Sequence, residues 1–494
     1  MKAAPPSVSE ERVVGVRNGH LRGVVADGIA RFLGVPYAAP PFGENRFQRP
    51  RPHPPWDGVR DATSFGASPP QAPYEGAMGE LLPSVVIPGE DILNLNIWAP
   101  AHATPQTPVP VMLWFYGGGL TRGSNALQTY DGTAFARDGV LLVSANYRVG
   151  AEGYSVLDGA ATNAGLADQV AALEWVRDEI RAFGGDPEQV TVFGQSAGGG
   201  SVATLLASER ASALFKRAII MSAPLGLQGG DPGRISRLMA KDLAVETTRE
   251  AFAAIPPDTL VESQTRLMRM SKMLRPGPGY GGVVGDDLIP VNPWDAVRAG
   301  RGADIPVMVG YTAEELGLYL GPHDRLRKIG WVLLLAVAAW FKFSPRTIQQ
   351  YRRGRPHTAA LEILGALLTD AFMRGPANRF ADMRHRQGAA TYVYEFAWRS
   401  PRMHLGAAHA VDVTFVFDTL DSDESAAIAG PDRPQSLATE MHTAWVNFAR
   451  SGQPGWPAWD DSRPVMVFNT PSSAVVLAPR EEERRAVEHL LPPA

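Results

Sequence analysis

Apolar and polar positions follow each other along this chain in patterns that lay out most of its elements. Residues 21–25 and 29–33 are two short apolar-rich runs joined by Asp27-Gly28, a pair that supplies the positive φ angles of a tight hairpin turn. Residues 93–98 alternate apolar and polar side chains, as a strand with one buried face does. Residues 109–115 are almost wholly apolar, which predicts a central strand covered on both faces, and 140–147 form another apolar strand. Leu166, Val170, Leu173, Val176, Ile180 and Phe183 then recur every three or four positions with charged residues between them, an amphipathic helix closed by Gly184-Gly185. A β-type run, 190–193, leads through Gly194-Gln195-Ser196-Ala197-Gly198 into a segment with Val202, Leu205 and Leu206 at helical spacing. Further β-like runs lie at 217–222, 305–309 and 391–396. Strand, helix, strand, turn and helix in this order predict the α/β class: a mostly parallel twisted sheet with helices on both faces. Residues 223–280 and 316–388 read as mainly helical or irregular excursions that cover a site within one domain spanning 1–494, because the candidate catalytic pieces are scattered from 116 to 409.

Residues 329–341 form an uncharged apolar run with Arg325, Arg327 and Lys328 before it and Lys342 after it. About 20 such residues are needed to span a bilayer, so this run is too short. It reads as a buried or pocket-lining helix that shapes substrate preference, with a shallow membrane-surface element as the alternative.

Composition narrows the function. The chain has 494 residues, 45% of them hydrophobic and 20% charged, and a formal net charge of −4, so no overall basic field draws it to nucleic acid or anionic lipid. The local cluster Arg352-Arg353-Gly354-Arg355 reads as solvated surface, and the proline-dense stretch 49–56 as a rigid loop. There is no cysteine, which excludes disulfides, thiolate metal sites and a cysteine nucleophile. Residues 1–12 are polar with no apolar segment of the signal-peptide kind, so the expected location is cytoplasmic.

The chemistry centres on Gly194-Gln195-Ser196-Ala197-Gly198. A G-x-S-x-G between a strand and a helix is the pattern of a nucleophile elbow, in which Ser196 takes a strained conformation and the glycines leave room for close backbone. The amide of Ala197 and the helix N-terminus favour a negative oxygen nearby. Tyr116-Gly117-Gly118-Gly119 follows the buried strand 109–115, so backbone N–H groups can face a cavity without side chains in the way. The amides of Gly118 and Gly119 would join that of Ala197 in an oxyanion hole. No lysine of a phosphate loop stands beside them, and no H-E-x-x-H metal motif occurs; neither a metal nor an organic cofactor is expected.

These residues carry a resemblance. With Gly34-Val35-Pro36-Tyr37-Ala38, Gly89-Glu90-Asp91, Leu93-Asn94-Leu95, Asn146-Tyr147-Arg148, Asn163-Ala164-Gly165-Leu166, Asp168-Gln169 and Phe183-Gly184-Gly185-Asp186-Pro187, the chain resembles the type-B carboxylesterases over nearly its whole length. That is the α/β-hydrolase group which also holds the cholinesterases and adhesion proteins of neuroligin type. The resemblance implies the α/β-hydrolase fold and selects the partners of Ser196. A histidine on a loop before an apolar aromatic run matches His409, ahead of 410–417, with His404 as the fallback; the acid, just beyond a strand, matches Glu315. Glu314 beside it is expected to be a solvated neighbour, since alternate residues leaving a strand point opposite ways. Four positions depart from the family's common pattern: Gln195 stands where glutamate is frequent, Glu314 where aspartate is, Leu316 where glycine is, and Leu120 where an aromatic residue is.

The function implied is a serine esterase acting through an acyl-enzyme on a small-molecule ester, with no nucleic-acid partner and no membrane span. The same triad acting on amides, carbamates or lactones is the alternative. A non-catalytic binding protein on the same fold is the remote one.

Overall fold

A computed structural model of the chain describes residues 10–226, 230–274, 279–328, 330–341 and 343–491. Most of the leader read as polar (1–9), the first residue of the apolar run (Ile329) and parts of both excursions (227–229, 275–278, 342) lie outside them.

The described strands are β1 (Glu10–Val16), β2 (Gly19–Ala26), β3 (Ile29–Pro36), β4 (Val59–Asp61), β5 (Asn94–Pro100), β6 (Val109–Phe115), β7 (Leu141–Ala145), β8 (Gly185–Gln195), β9 (Arg217–Met221), β10 (Val307–Thr312), β11 (Thr391–Phe396), β12 (Pro464–Phe468) and β13 (Ala474–Leu477). They form one sheet in the order β1-β2-β3-β5-β7-β6-β8-β9-β10-β11-β12-β13, with β4 beside β2. From β7 through β12 every pair is parallel, while the pairs β1–β2, β2–β3, β3–β5, β5–β7 and β12–β13 are antiparallel. This is the α/β-hydrolase fold. The β2–β3 turn has Asp27 at φ 51° and Gly28 at φ 77°, as the Asp-Gly pair requires.

The parallel centre is the best-covered part. β6 lies between β7 and β8, and residues Val111 to Phe115 are fully buried, because a parallel sheet needs helices over both faces. One cover is the helix Ala164–Glu179, which departs from the expected amphipathic pattern. Residues 164–170 are all buried and only Arg177 and Asp178 are exposed, because the helix is packed on more than one side. It ends in a 3₁₀ turn with Gly184 at φ 87°. Arg148 and Asp168, two of the landmark residues, form a fully buried bidentate pair beneath it, at 2.8 and 2.7 Å, with Arg148 also donating to Gln48 O. The paired charges hold the chain after β7 against that helix.

β5 departs from its expected half-exposed pattern: all of Asn94–Pro100 is buried. Its polar positions are not solvated but paired. Asn94 Nδ2 donates to Ala67 O at 2.9 Å, Asn96 Nδ2 donates to Asn125 O at 3.0 Å, and Asn125 Nδ2 donates to Asn94 Oδ1 at 3.1 Å. Buried amides are tolerated when their hydrogen bonds are met, and this set ties the loop after the triple glycine to the sheet.

The apolar run 330–341 is also placed differently from expectation. It contains an α-helix, Gly330–Trp340, of which only Gly330, Leu334 and Ala338 are buried. It lines no part of the cleft described below. Leu334 and Ala338 pack with Leu361, Leu364 and Leu367 of the helix Ala360–Thr369 in a second apolar cluster, apart from the one around the sheet. No helix among the described residues is long and apolar enough to cross a membrane.

Candidate active site

Ser196 stands between β8 and the helix Ala197–Ala207 at φ 57°, ψ −123°, a conformation L-residues avoid. The neighbouring glycines explain why the turn can close. A Cβ on Gly198 would lie 2.0 Å from Phe115 O, and one on Gly194 would lie 2.6 Å from the Gly198 carbonyl. The Ser196 amide donates to Met221 O on β9 at 2.9 Å, which pins the turn to the next strand.

The triple-glycine loop presses on this turn: a Cβ on Gly117 would lie 2.9 Å from Ser196 Cβ. Gly118 and Gly119 adopt φ 111° and 65°. Their amides donate to no acceptor among the described residues, and the Ala197 amide opens a helix whose first N–H groups have no intrahelical partner. Behind the loop Tyr147 Oη–H donates to Tyr116 O at 2.6 Å, and the two rings stack 4.6 Å apart.

Glu315 and His409 meet across 94 residues. His409 Nδ1 lies 2.5 Å from Glu315 Oε2, both residues are buried, and the other carboxylate oxygen accepts the Thr312 amide at 2.8 Å. With Nδ1 donating to the carboxylate, Nε2 is free to accept. It lies 3.1 Å from Gln195 Nε2, which donates to it. Ser196 Oγ makes no hydrogen bond among the described residues, so the expected serine–histidine contact is replaced here by one from the residue before the serine. His404, the fallback, is exposed in a 3₁₀ turn and lines no part of the cleft.

Three neighbours refine the sequence reading. Glu314, expected to be a solvated neighbour, has a side chain about a third exposed, and its partners include the histidine loop. Its amide donates to Ala407 O at 2.9 Å, its Oε2 accepts the Ala407 amide at 2.8 Å, and Arg399 reaches its Oε1 at 2.5 Å. Leu316 takes φ −73°, ψ −5°, an ordinary conformation, and its side chain joins the second apolar cluster, so glycine is not needed after the acid. Asp412, which drew no attention in the sequence, is buried behind the pair. Burial and the nearby Glu315 charge push its carboxyl up to about 7, opposed by His409, while Tyr394 Oη–H donates to Oδ2 at 3.3 Å. Its position three residues after His409, opening the helix Val411–Val416, was the available signal.

Ser196 and His409 line a cleft of about 960 Å³, counted with the open solvent at its mouth. Of the two stretches expected over the site, 223–280 contributes no lining residue among those described, and 316–388 contributes only Leu318 and Tyr319. The apolar wall comes instead from residues 74–85, including Tyr74, Met78 and Leu82, with Leu127, Val413 and Ile428 opposite. That first segment is a proline-interrupted loop around the short helix Gly76–Leu81, with no periodicity to mark it. Arg122 also lines the cleft, its guanidinium 4.3 Å above the Tyr74 ring.

Comparison with protein families matches residues 10–483 to the carboxylesterase family. The chain is 30% identical to the para-nitrobenzyl esterase of Bacillus subtilis strain 168, over 93% of this chain and 95% of that one. It is 32% identical to the phenmedipham hydrolase of Pseudarthrobacter oxydans, over 91% and 93%. Among solved structures, the Geobacillus stearothermophilus carboxylesterase Est55 at pH 6.2 superposes with a TM-score of 0.83 at 33% identity, covering 96% of this chain and 99% of that one.

Proposed function

The chain belongs to the carboxylesterase family and is a carboxylic-ester hydrolase acting on small-molecule esters, and on that premise we propose that Ser196, His409 and Glu315 form its catalytic triad within one catalytic domain. An unassisted serine hydroxyl is a weak nucleophile. His409 Nε2 releases the Gln195 amide and takes the Ser196 proton as Oγ attacks the ester carbonyl. The developing oxyanion accepts from the amides of Gly118, Gly119 and Ala197, whose hydrogens have no competing acceptor. The imidazolium, held by Glu315, then protonates the leaving alcohol, and water repeats the sequence on the acyl-enzyme. Glu315 keeps the ring in one tautomer without taking the proton itself.

The observation that carries this reading is the buried 2.5 Å contact between His409 Nδ1 and a carboxylate beside a serine in a strained turn. The test is the rate of hydrolysis of p-nitrophenyl esters of increasing acyl length by the native chain and by Ser196→Ala. A fall of about 10,000-fold or more in kcat is expected for the variant, with the optimum acyl length sizing the cleft. Equal rates would reject the assignment. A native chain faster on a matched amide than on its ester would move the substrate class to amides.

A further inference from the structure

We propose that the helix Gly330–Trp340 seats this protein on an anionic lipid surface. The helix buries one narrow stripe, Gly330, Leu334 and Ala338, and leaves a continuous apolar face outside. On that face Trp331 is 48% exposed, Val332 70%, Leu335 60% and Trp340 57%, with Ala336 and Ala339 between them. Spacings of three and four residues put these side chains side by side on the helix. Trp331 and Trp340 are the two tryptophans among the large exposed hydrophobic residues of the described chain, and they stand at opposite ends of the face. Indole rings favour the boundary between hydrocarbon and headgroup.

The segments on either side of the helix are cationic. Arg325 and Lys328 precede the helix, and Arg346, Arg352 and Arg353 follow it; all five are exposed, and none forms an ion pair among the described residues. The Arg352 guanidinium lies 5.0 Å from the centre of the Trp331 ring, which places one of these charges at the border of the apolar face. Between positions 323 and 355 the sequence holds eight lysines and arginines against one acid, Asp324, whereas the whole chain has 47 basic and 51 acidic residues. The overall acidity that argued against lipid binding is therefore reversed along 323–355, the stretch that holds this apolar face. An apolar face with a tryptophan at each end, an arginine at its border and exposed cations on the segments flanking its helix fits a surface of anionic headgroups over hydrocarbon.

Geometry favours lying on that surface over crossing it. At 1.5 Å per residue the 11-residue helix is about 16 Å long, roughly half the thickness of a hydrocarbon core. Its underside is already committed to the helix Ala360–Thr369. A second copy of the chain is the poorer occupant, because a two-fold contact through this face would bring its cationic flanking segments together.

The test is flotation of the full chain with vesicles of phosphatidylcholine alone and with roughly a third phosphatidylglycerol. The native chain is expected to float with the anionic vesicles, less as salt rises. Combined Trp331→Ser, Leu335→Ser and Trp340→Ser should cut that binding about tenfold or more, and combined Arg346→Gln, Arg352→Gln and Arg353→Gln should weaken it on anionic vesicles alone. Both variants should hydrolyse a soluble p-nitrophenyl ester at the native rate. Should the serine variant fail to fold, quenching of native tryptophan fluorescence by brominated lipid, lost in Trp331→Phe/Trp340→Phe, reads the same contact. Absence of native binding, binding indifferent to both sets of changes, or quenching unaffected by the phenylalanine pair would each overturn the proposal. So would a native dimer that the serine changes convert to monomer without any vesicle binding.

Discussion

The junction around Ser196 and the helical layer of residues 317–369 are two ways of holding a chain. At the junction nearly every position is specified by a neighbour at a definite atom: Gly198 by Phe115 O, the Ser196 amide by Met221 O, His409 by Glu315, Ala407 by Glu314. In the layer most of the cohesion is a cluster of leucines, Leu334, Leu361, Leu364 and Leu367, that meet by shape, with polar ties such as Tyr351 Oη–H to Asp370 at its edge. The junction tolerates almost no change of atom, whereas the layer tolerates most changes that keep volume. Chemistry belongs on the first kind of structure because a displaced donor or base costs rate directly.

The sharpest break should come at the paired glutamates. Glu315→Gln keeps the shape but removes the charge that holds the His409 tautomer, and kcat is expected to fall about 1,000- to 10,000-fold. Glu314→Gln leaves that charge and disturbs the loop instead, so a loss of about 10-fold is expected. Steady-state kinetics on one ester checks both. Equal losses would mean that the two acids act as a unit.

Next in size is a matched pair of glycines. Gly198→Ala would set a Cβ 2.0 Å from Phe115 O and 2.6 Å from Tyr116 O, both backbone atoms of the sheet and the glycine loop. A loss of about 3 kcal/mol or more is expected, with activity lost alongside. Gly365→Ala, in the helix Ala360–Thr369, would meet only Leu320 Cδ1 at 3.6 Å and Leu316 Cβ at 3.9 Å, ordinary contacts. There the gain in helix propensity should stabilise the protein by about 0.5–1 kcal/mol. Denaturant midpoints of the two variants should therefore move in opposite directions.

The same contrast decides what was legible in the sequence. The elbow, the strands at 109–115 and 391–396 and the helix after β7 rest on local backbone demands or unbroken periodicity, and both leave marks in adjacent residues. What was misread depended on a partner remote in sequence. Asn94 and Asn96 looked like a solvated face until Ala67 and Asn125 supplied their hydrogen bonds. Glu314, read as solvated, is only partly so, because the histidine loop arrives from 93 positions away. The helix Gly330–Trp340 looked buried because it is apolar, but only one stripe of it has an apolar partner. The wall at 74–85 has no period at all, so nothing short of the folded chain would assign it to the cleft.

Within that helix, adjacent leucines measure how far the layer relies on volume. Leu334 is fully buried against the second cluster, and Leu335 is 60% exposed. Leu334→Ala should cost about 2–4 kcal/mol through the cavity it leaves, and Leu335→Ala less than about 0.5 kcal/mol. Unfolding curves that shifted equally would mean that the outer face is covered in solution, as self-association would cover it.

The last effect lies back at the junction and depends on pH. Asp412 is buried, its Oδ1 has no hydrogen-bond partner among the described residues, and its carboxyl is raised to about 7 by burial and by the Glu315 charge. In the unfolded chain the group returns to its ordinary value near 3.8. Between those limits the native state holds more protons than the unfolded one, so stability falls as pH rises. The contribution is fully present below the unfolded value and lost as pH passes through about 7. Asp412→Asn is nearly isosteric and cannot ionise. Its stability relative to the native chain should therefore rise between about pH 4 and pH 7 and level off above. Denaturant midpoints of both proteins across that range would show it. Parallel pH profiles would mean that Asp412 stays ionised throughout, with the burial cost met by groups other than Tyr394. A diverging pair would show that the tightly specified junction carries an electrostatic strain of its own.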